Sequence, residues 1–500
     1  MSESVMETKL ERTLTPAQVW ALALGSIVGW GCFVLPGDSF LPQSGPLATL
    51  IAFCIGALLL CFVAVVYGYM IEYTPVAGGE YAYAYVGFGP TGAFICGWAL
   101  VLGYIVIIGI NISALGLLVR FLLPGVFEFG ELYTIVGWKV YMGEILLMCA
   151  AALFFGIMNY RGISIAGVLQ VILAFALSVG ILLLFFGAIN VDTASVGNLN
   201  PLFAEYRSPF TSVLAIVAIS PFLFVGFDTV PQAAEEFSFS PKKARNIMLA
   251  AIIWGGLLYS LVTFSVAVVM PYPEMLTKMA VLRESGKTAW ATGVACEMAY
   301  GKFGAVILAV SVLGAVCTGI NGFYVATTRL LLSMARGGIL PSWFADIHPK
   351  YHSPYKAILF TIGIVLLTPW CGRAVVGWIV DMSAVGTAIA YLYTCLAAYR
   401  VIKNTPSASN QGRLIICSIG AAVAILCILL LLVPGSPAFI GPAPRGIMVA
   451  WILLGFVFYC ITRSDWIHLP ESELRERILG SRELPVFFTK EVNSEYQNLQ

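Results

Sequence analysis

The sequence predicts an all-α membrane protein with 12 transmembrane helices, and three observations lead to that prediction. Of the 500 residues, 60% are hydrophobic and only 11% are charged, which is too few charges for the surface of a soluble domain. Apolar runs long enough to cross a bilayer, about 17 to 25 residues each, recur along the whole chain. The first and the sixth of these runs are interrupted, which is typical of membrane helices that line a binding site.

The apolar runs divide the chain into two blocks of five spans and a final pair. Residues 1–16 are expected to form a cytosolic tail, because they carry charge and lack the apolar core of a cleaved signal. A second cytosolic tail is predicted over residues 463–500. The predicted spans are 17–35, 47–71, 91–120, 139–158 and 163–189 in a first block of 17–189, then 210–237, 245–270, 303–335, 357–371 and 374–400 in a second block of 210–400, and lastly 413–433 and 446–462 in a final pair of 413–462.

The distribution of basic residues predicts the orientation. Of the 27 Lys and Arg residues, 18 fall on the same side of the membrane as the N-terminus and 9 on the other. Because basic loops stay in the cytosol, both termini are predicted to be cytosolic in a protein of the plasma (inner) membrane.

Composition also excludes several kinds of function. A net charge of +1 argues against a nucleic-acid partner. His348, His352 and His468 are the only histidines, and all three fall in predicted cytosolic segments. Since no nucleophile–base pair stands out either, we expect no metal, no cofactor and no enzymatic activity.

Both interruptions have a clear cause in the sequence. Residues 25–33, GSIVGWGCF, contain three glycines, and residues 220–228, SPFLFVGFD, contain Pro221 and Gly226. Glycine and proline also serve close packing and kinks in membrane helices. Two breaks at matching places in the two blocks nevertheless favour an inverted repeat with a binding site between the repeats.

Several motifs together resemble the amino acid-polyamine-organocation transporter superfamily. Residues 25–33, followed by LPG at 35–37, resemble the signature of its first helix. The resemblance continues in order through PVAGGEY at 75–81, FG at 88–89, GW at 97–98, GFD at 226–228, AEE at 234–236 and the segment 329–341.

The resemblance implies an amino acid permease that works by alternating access. It also implies a five-plus-five inverted repeat with broken helices 1 and 6, plus two peripheral helices. Two alternatives stay open, namely an amine or polyamine importer or exchanger of the same family, and a sensor that binds substrate without transporting it. A disulfide-linked heavy chain, as in some animal relatives, is not expected, because the outer loop at 121–138 has no cysteine.

The broken helices offer polar backbone groups to both ends of an amino acid. Free amides from about Gly29 to Gly31 suit a carboxylate, and free carbonyls near Ile27, Phe222 and Val225 suit an ammonium group. By family position, Phe222 is expected to close over the substrate and Phe323 to line the site. The predicted substrate-binding residues are Ser26, Ile27, Gly29, Trp30, Gly31, Phe222, Phe224, Gly226 and Phe323.

Trp30 departs from the family pattern, which has a small residue at this position. If Trp30 faces the cavity, it narrows the pocket or stacks on a cationic or aromatic substrate; if it faces a neighbouring helix, it only packs there. Glu235, Glu236 and Arg329 are candidates for the ion pairs of an inner gate, although solvated helix ends explain them equally well.

Proton or sodium coupling has two rival centres. Asp228, an acidic residue inside a predicted span, either relays a proton, pairs with a basic residue, receives a substrate amine or caps the second half of the broken helix. Thr327 and Thr328 offer hydroxyls for sodium, although such hydroxyls more often bond their own helix. The lysine that proton-linked relatives carry in the fifth helix is missing, since residues 163–189 contain no Lys or Arg.

Overall fold

The computed structural model describes residues 12–135, 138–284, 290–372, 375–405 and 410–480, which are mostly helical. Most of the predicted N-terminal tail and part of the predicted C-terminal tail lie outside these residues. The helices of the first half are α1 (Pro16–Ile27), α2 (Gly31–Leu35), α3 (Leu41–Ser44), α4 (Pro46–Tyr73), α5 (Glu80–Leu122), α6 (Met142–Arg161), α7 (Ile163–Ala188), α8 (Pro209–Val217), α9 (Ser220–Leu223) and α10 (Thr229–Gln232).

The second half continues with long helices and two short ones in a connecting segment. A hairpin of two antiparallel strands, β1 (Glu131–Ile135) and β2 (Trp138–Tyr141), joins α5 to α6. The remaining helices are α11 (Ala244–Val269), α12 (Tyr272–Glu284), α13 (Ala291–Tyr300), α14 (Lys302–Arg336), α15 (Tyr355–Val365), α16 (Val375–Asn404), α17 (Asn410–Leu432), α18 (Pro442–Ile467) and α19 (Glu471–Leu479).

In the described part of the chain, 10 helical segments are long and apolar enough to cross a membrane. The predicted sixth span is divided among α8, α9 and α10, and the predicted ninth falls on the shorter apolar stretch Tyr355–Cys371. The prediction of a multi-pass helical membrane protein is therefore confirmed. The count of 12 spans and the boundaries of the repeats stay predictions.

The structure corrects several predicted boundaries. Helix α5 has a sharp turn at Gly89, which has a φ of 68° and is followed by Pro90, so its second segment begins near the predicted residue 91 and an additional segment from Glu80 precedes it. The fourth span begins at Met142, since residue 139 belongs to β2. Helices α12, α13 and α19 were not predicted, because they are too short or too polar to register as spans.

Both predicted interruptions are present. Helix α1 begins with a capping box in which the Gln18 amide nitrogen donates to Thr15 Oγ1 at 3.4 Å. It ends at Ile27, because Val28 leaves the helical region with φ −94° and ψ 73°. We call residues 26–31, from the last turn of α1 to the first residue of α2, the first break, and residues 222–228, from the end of α9 to the residue before α10, the second break. Helices α11, α14 and α16 pack around the elements that carry these breaks.

Candidate functional site

The two breaks contact one another through Gly226. This residue has a φ of 132°, a conformation that favours glycine. A Cβ atom at this position would lie 2.6 Å from the backbone nitrogen of Ile27 and 2.6 Å from Ser26 Cβ. The second break can therefore approach the first this closely only without a side chain at Gly226.

A cavity of about 20 Å³ lies beside this contact. It has room for about one water molecule, so a larger substrate requires the lining side chains or the breaks to move. Predicted residues that line it are Ser26, Ile27, Gly29, Trp30, Gly31 and Phe222, together with the carbonyl position Val225. The other lining residues are Ile107, Ile110 and Asn111 of α5 and Tyr259 of α11.

The backbone around the cavity offers both free donors and free acceptors. Among the described residues, the amides of Gly29 and Gly31 have no hydrogen-bond acceptor, and the carbonyls of Phe222 and Val225 accept no hydrogen bond. The Ile27 carbonyl, by contrast, accepts from the Tyr259 hydroxyl at 3.4 Å. Donors from the first break and acceptors from the second can thus bind opposite charges without any ionised side chain.

Two side chains on the first broken helix add polar atoms to this site. Ser26 Oγ and Trp30 Nε1 are buried, and neither has a hydrogen-bond partner in the described chain. Trp30 is only 1% exposed and lines the cavity. Trp30 therefore lies at the cavity, and its effect on the size of a substrate pocket stays a prediction.

Asn111 and Tyr259 were not predicted to belong to the site. Asn111 accepts the Trp30 amide hydrogen at an N···O distance of 3.4 Å and donates to the Ile107 carbonyl at 2.9 Å. An amide side chain in the middle of an apolar span was a signal that could have identified it. No comparable signal marks Tyr259, because its position depends on how α11 packs.

Three predicted substrate contacts lie outside the cavity lining, namely Gly226, which lies against Ser26 and Ile27, and the two aromatic residues Phe224 and Phe323. The Phe224 ring packs towards Gly256, where a Cβ atom would lie 3.3 Å from its Cε1 atom. The Phe323 ring packs against Tyr104, with ring centroids 5.5 Å apart. Both rings are fully buried by these neighbours, so reaching a substrate would require them to leave that packing.

Asp228 is buried within the second break. Its Oδ1 atom accepts the backbone amide of Gly226 at 2.6 Å, and its Oδ2 atom has no partner among the described residues. It occupies the N-cap position of α10 but makes no capping hydrogen bond to that helix. The interaction of this carboxylate is therefore with the break rather than with the helix that follows.

Thr327 and Thr328 do not lie beside the carbonyls of the first break. Thr328 Oγ1 donates to the Tyr324 carbonyl of its own helix at 2.8 Å, whereas Thr327 Oγ1 has no partner in the described chain. Thr318 is the residue that reaches the first broken helix, donating to the Gly25 carbonyl at 3.2 Å. Thr318 and Thr327 are about 13 Å apart along the axis of an α-helix.

The candidate gate residues form two ion pairs. Arg329 Nε lies 2.8 Å from Glu236 Oε1, and both side chains are only 2% exposed. Arg336 lies 3.4 Å from Glu235 in a more exposed pair that was not predicted. Because the first pair is buried, solvated helix ends do not explain Glu236 and Arg329.

Hydrogen bonds from backbone amides connect further elements to these pairs. The Ala77 amide donates to Glu235 Oε1 at 3.1 Å, and the Leu14 amide donates to the Glu236 carbonyl at 2.9 Å. The start of α1, the loop before α5, the segment after α10 and the end of α14 thus converge. We call Glu235, Glu236, Arg329 and Arg336 the gate cluster.

Comparison with known proteins gives the family. A family model described as "Amino acid permease" matches residues 14–458. The branched-chain amino acid permease BcaP of Bacillus subtilis is 25% identical over 475 residues, covering 91% of this chain and 93% of that protein. The vacuolar cationic amino acid transporter 4 of Arabidopsis thaliana is 27% identical, covering 79% of this chain and 64% of that protein.

A third relative is named for a different kind of substrate. The methylthioribose transporter of Bacillus subtilis is 25% identical over 424 residues, covering 83% of this chain and 86% of that protein. The family match nevertheless extends through both breaks and the gate cluster. The predicted superfamily is confirmed: the chain belongs to the amino acid permease family, whose members are membrane transporters and not enzymes.

Proposed function

We propose that this protein is a secondary transporter that moves amino acids or related amines across the membrane by alternating access. The observation that carries the proposal is the cavity between the breaks, whose lining includes two residues with free amides and two with free carbonyls. The amides of Gly29 and Gly31 would bind the carboxylate, and the carbonyls of Phe222 and Val225 the ammonium group.

The side chains around the cavity favour a neutral substrate. Its lining residues include no acidic or basic side chain, and Ile107, Ile110 and Phe222 are apolar. The relatives are named for branched-chain amino acids, for cationic amino acids and for methylthioribose, so their names do not agree on a substrate. We infer that an amino acid with an uncharged side chain fits this lining best, because a charged one would be desolvated without a partner.

Alternating access requires closures on both sides of the site. We assign the gate cluster to the cytosolic closure. In this arrangement both termini lie in the cytosol of a plasma-membrane protein, and the 12 spans form a five-plus-five repeat plus two peripheral helices. Phe222 would close over the substrate, since it lines the cavity beside the first break. The gate would open by separating α1 and the segment after α10 from α14.

For coupling, a proton at Asp228 is better supported than sodium at Thr327 and Thr328. Asp228 is bonded to the break itself, at Gly226, whereas Thr328 bonds its own helix. An exchanger would need no ion, and the same cavity would serve it.

The test is uptake by purified protein in liposomes, against a panel of amino acids and amines, with proton and sodium gradients imposed separately. We expect saturable uptake of neutral amino acids that a proton gradient stimulates and a sodium gradient does not.

A Phe222→Ala protein should bind more weakly and transport more slowly, while Phe222→Tyr should transport normally, because occlusion needs a broad aromatic face. Substrate binding without any uptake or exchange would support the sensor alternative and contradict transport.

A further inference from the structure

Two buried carboxylates lie at α10, close to the second break. Glu80, the first residue of α5, accepts a hydrogen bond from the side-chain amide of Gln232. Asp228 lies four residues before Gln232, so the two side chains lie on the same side of the helical turn formed by α10. Both carboxylates are fully buried, and each is within electrostatic range of the other.

No positive side chain compensates this pair. None of the ion pairs found among the described residues includes Glu80 or Asp228, and Arg329 is already bound to Glu236. An uncompensated buried carboxylate is costly. The titratable groups that face the two carboxylates carry hydroxyls or a thiol and no positive charge: Tyr67 of α4, Tyr83, Cys96 and Tyr104 of α5, and Tyr391 of α16.

The oxygen atoms of this cluster also lack hydrogen-bond donors. Three acceptor atoms have no partner in the described chain, namely Glu80 Oε1, Asp228 Oδ2 and Gln232 Oε1. Three unpartnered hydroxyls belong to tyrosines that interact electrostatically with the two carboxylates, namely Tyr67, Tyr83 and Tyr391. None of these hydroxyls is hydrogen-bonded to the three acceptors, and a proton on one carboxyl oxygen would add a donor inside the cluster.

We propose that Glu80 and Asp228 share one proton and form a proton-binding site distinct from the substrate cavity. The proton comes from water and is held as a carboxyl O–H, so the pair carries one negative charge instead of two. No group of three or more metal-binding side chains occurs among the described residues, which favours a proton over a metal ion as the ligand.

This site is connected to the substrate cavity by a short chain of contacts. Asp228 Oδ1 accepts the Gly226 amide at 2.6 Å, and Gly226 lies against Ser26 and Ile27. A hydrogen bond to an ionised carboxylate is stronger than one to a neutral carboxyl. Moving the proton onto Asp228 therefore loosens the second break, which links proton binding to substrate binding if the proposed transport function is correct.

The site itself is tested by infrared difference spectroscopy of the purified full-length protein. The variants are Glu80→Gln and Asp228→Asn, with Glu72→Gln, an exposed carboxylate at the end of α4, as the control. At neutral pH we expect a protonated-carboxyl band in the wild type and the control, and its loss in both site variants, because a single remaining carboxylate keeps the one negative charge. Absence of the band from the wild type, or its retention in Glu80→Gln, would overturn the shared site.

The link to transport is tested by measuring substrate affinity against pH in the same proteins. One linked proton changes the wild-type affinity by up to about tenfold per pH unit, and Glu80→Gln should remove this dependence while still binding substrate. If the wild type binds no amino acid, the proposed function fails, and the infrared result still decides the proton site. If binding is normal and the band is absent, the proton site fails and the proposed function stands.

Discussion

Gly226→Ala is expected to weaken substrate binding strongly and to slow transport. The added Cβ atom would lie 2.6 Å from the backbone nitrogen of Ile27, so the second break must move away from the first. The φ of 132° adds strain for any residue with a side chain. Since the cavity is built from both breaks, we expect affinity to fall by at least about tenfold, which corresponds to about 1.4 kcal/mol.

The matched control is Gly363→Ala in α15, where an added Cβ atom has no neighbour within 4 Å. Equilibrium binding in detergent, with size-exclusion profiles as a check on folding, compares the two variants. Normal affinity in a well-folded Gly226→Ala protein would show that the contact between the breaks does not form the site.

Arg329→Met is expected to cause the largest loss of stability. It leaves the Glu236 carboxylate buried, at 2% exposure, without its positive partner. Breaking a buried pair in this way costs about 3–5 kcal/mol, whereas replacing both partners by apolar residues is often neutral. The double variant Arg329→Met/Glu236→Leu should therefore recover most of the lost stability.

Thermal unfolding in detergent measures this effect, and the exposed pair of Arg477 and Glu473 provides the control. Those side chains are 44% and 45% exposed, so Arg477→Met should change the unfolding midpoint little. The gate cluster would lose its proposed structural role if Arg329→Met unfolded at the wild-type temperature.

The sequence predicted the features that local chemistry determines. Glycines 29 and 31, Pro221 and Gly226 marked both breaks, because these residues weaken a helix wherever they occur. The charges of Glu236 and Arg329 at predicted helix ends marked the buried gate pair. The family itself followed from motifs in the correct order, and the family match confirms it.

Features that depend on how distant helices pack could not be predicted in the same way. Phe222 lines the cavity and Phe224 does not, because between them the chain leaves α9 and helical periodicity no longer applies. Thr318, rather than Thr327, contacts the first broken helix because of the register between α14 and α1.

Glu80 is a further case that local sequence could not resolve. It is buried beside Gln232 through a contact across 152 residues. It stood in a recognised motif, PVAGGEY, yet nothing nearby in the sequence indicated an acidic partner.

The cavity between the breaks is expected to bind both charged ends of an amino acid. The most direct measurement is competition against a labelled, transported neutral amino acid, using its decarboxylated amine and its N-acetyl derivative as competitors. One competitor lacks the carboxylate and the other lacks the ammonium group. We therefore expect that neither displaces the label at concentrations where the parent amino acid does. If the decarboxylated amine displaces the label as effectively as the parent amino acid does, carboxylate binding at Gly29 and Gly31 is contradicted.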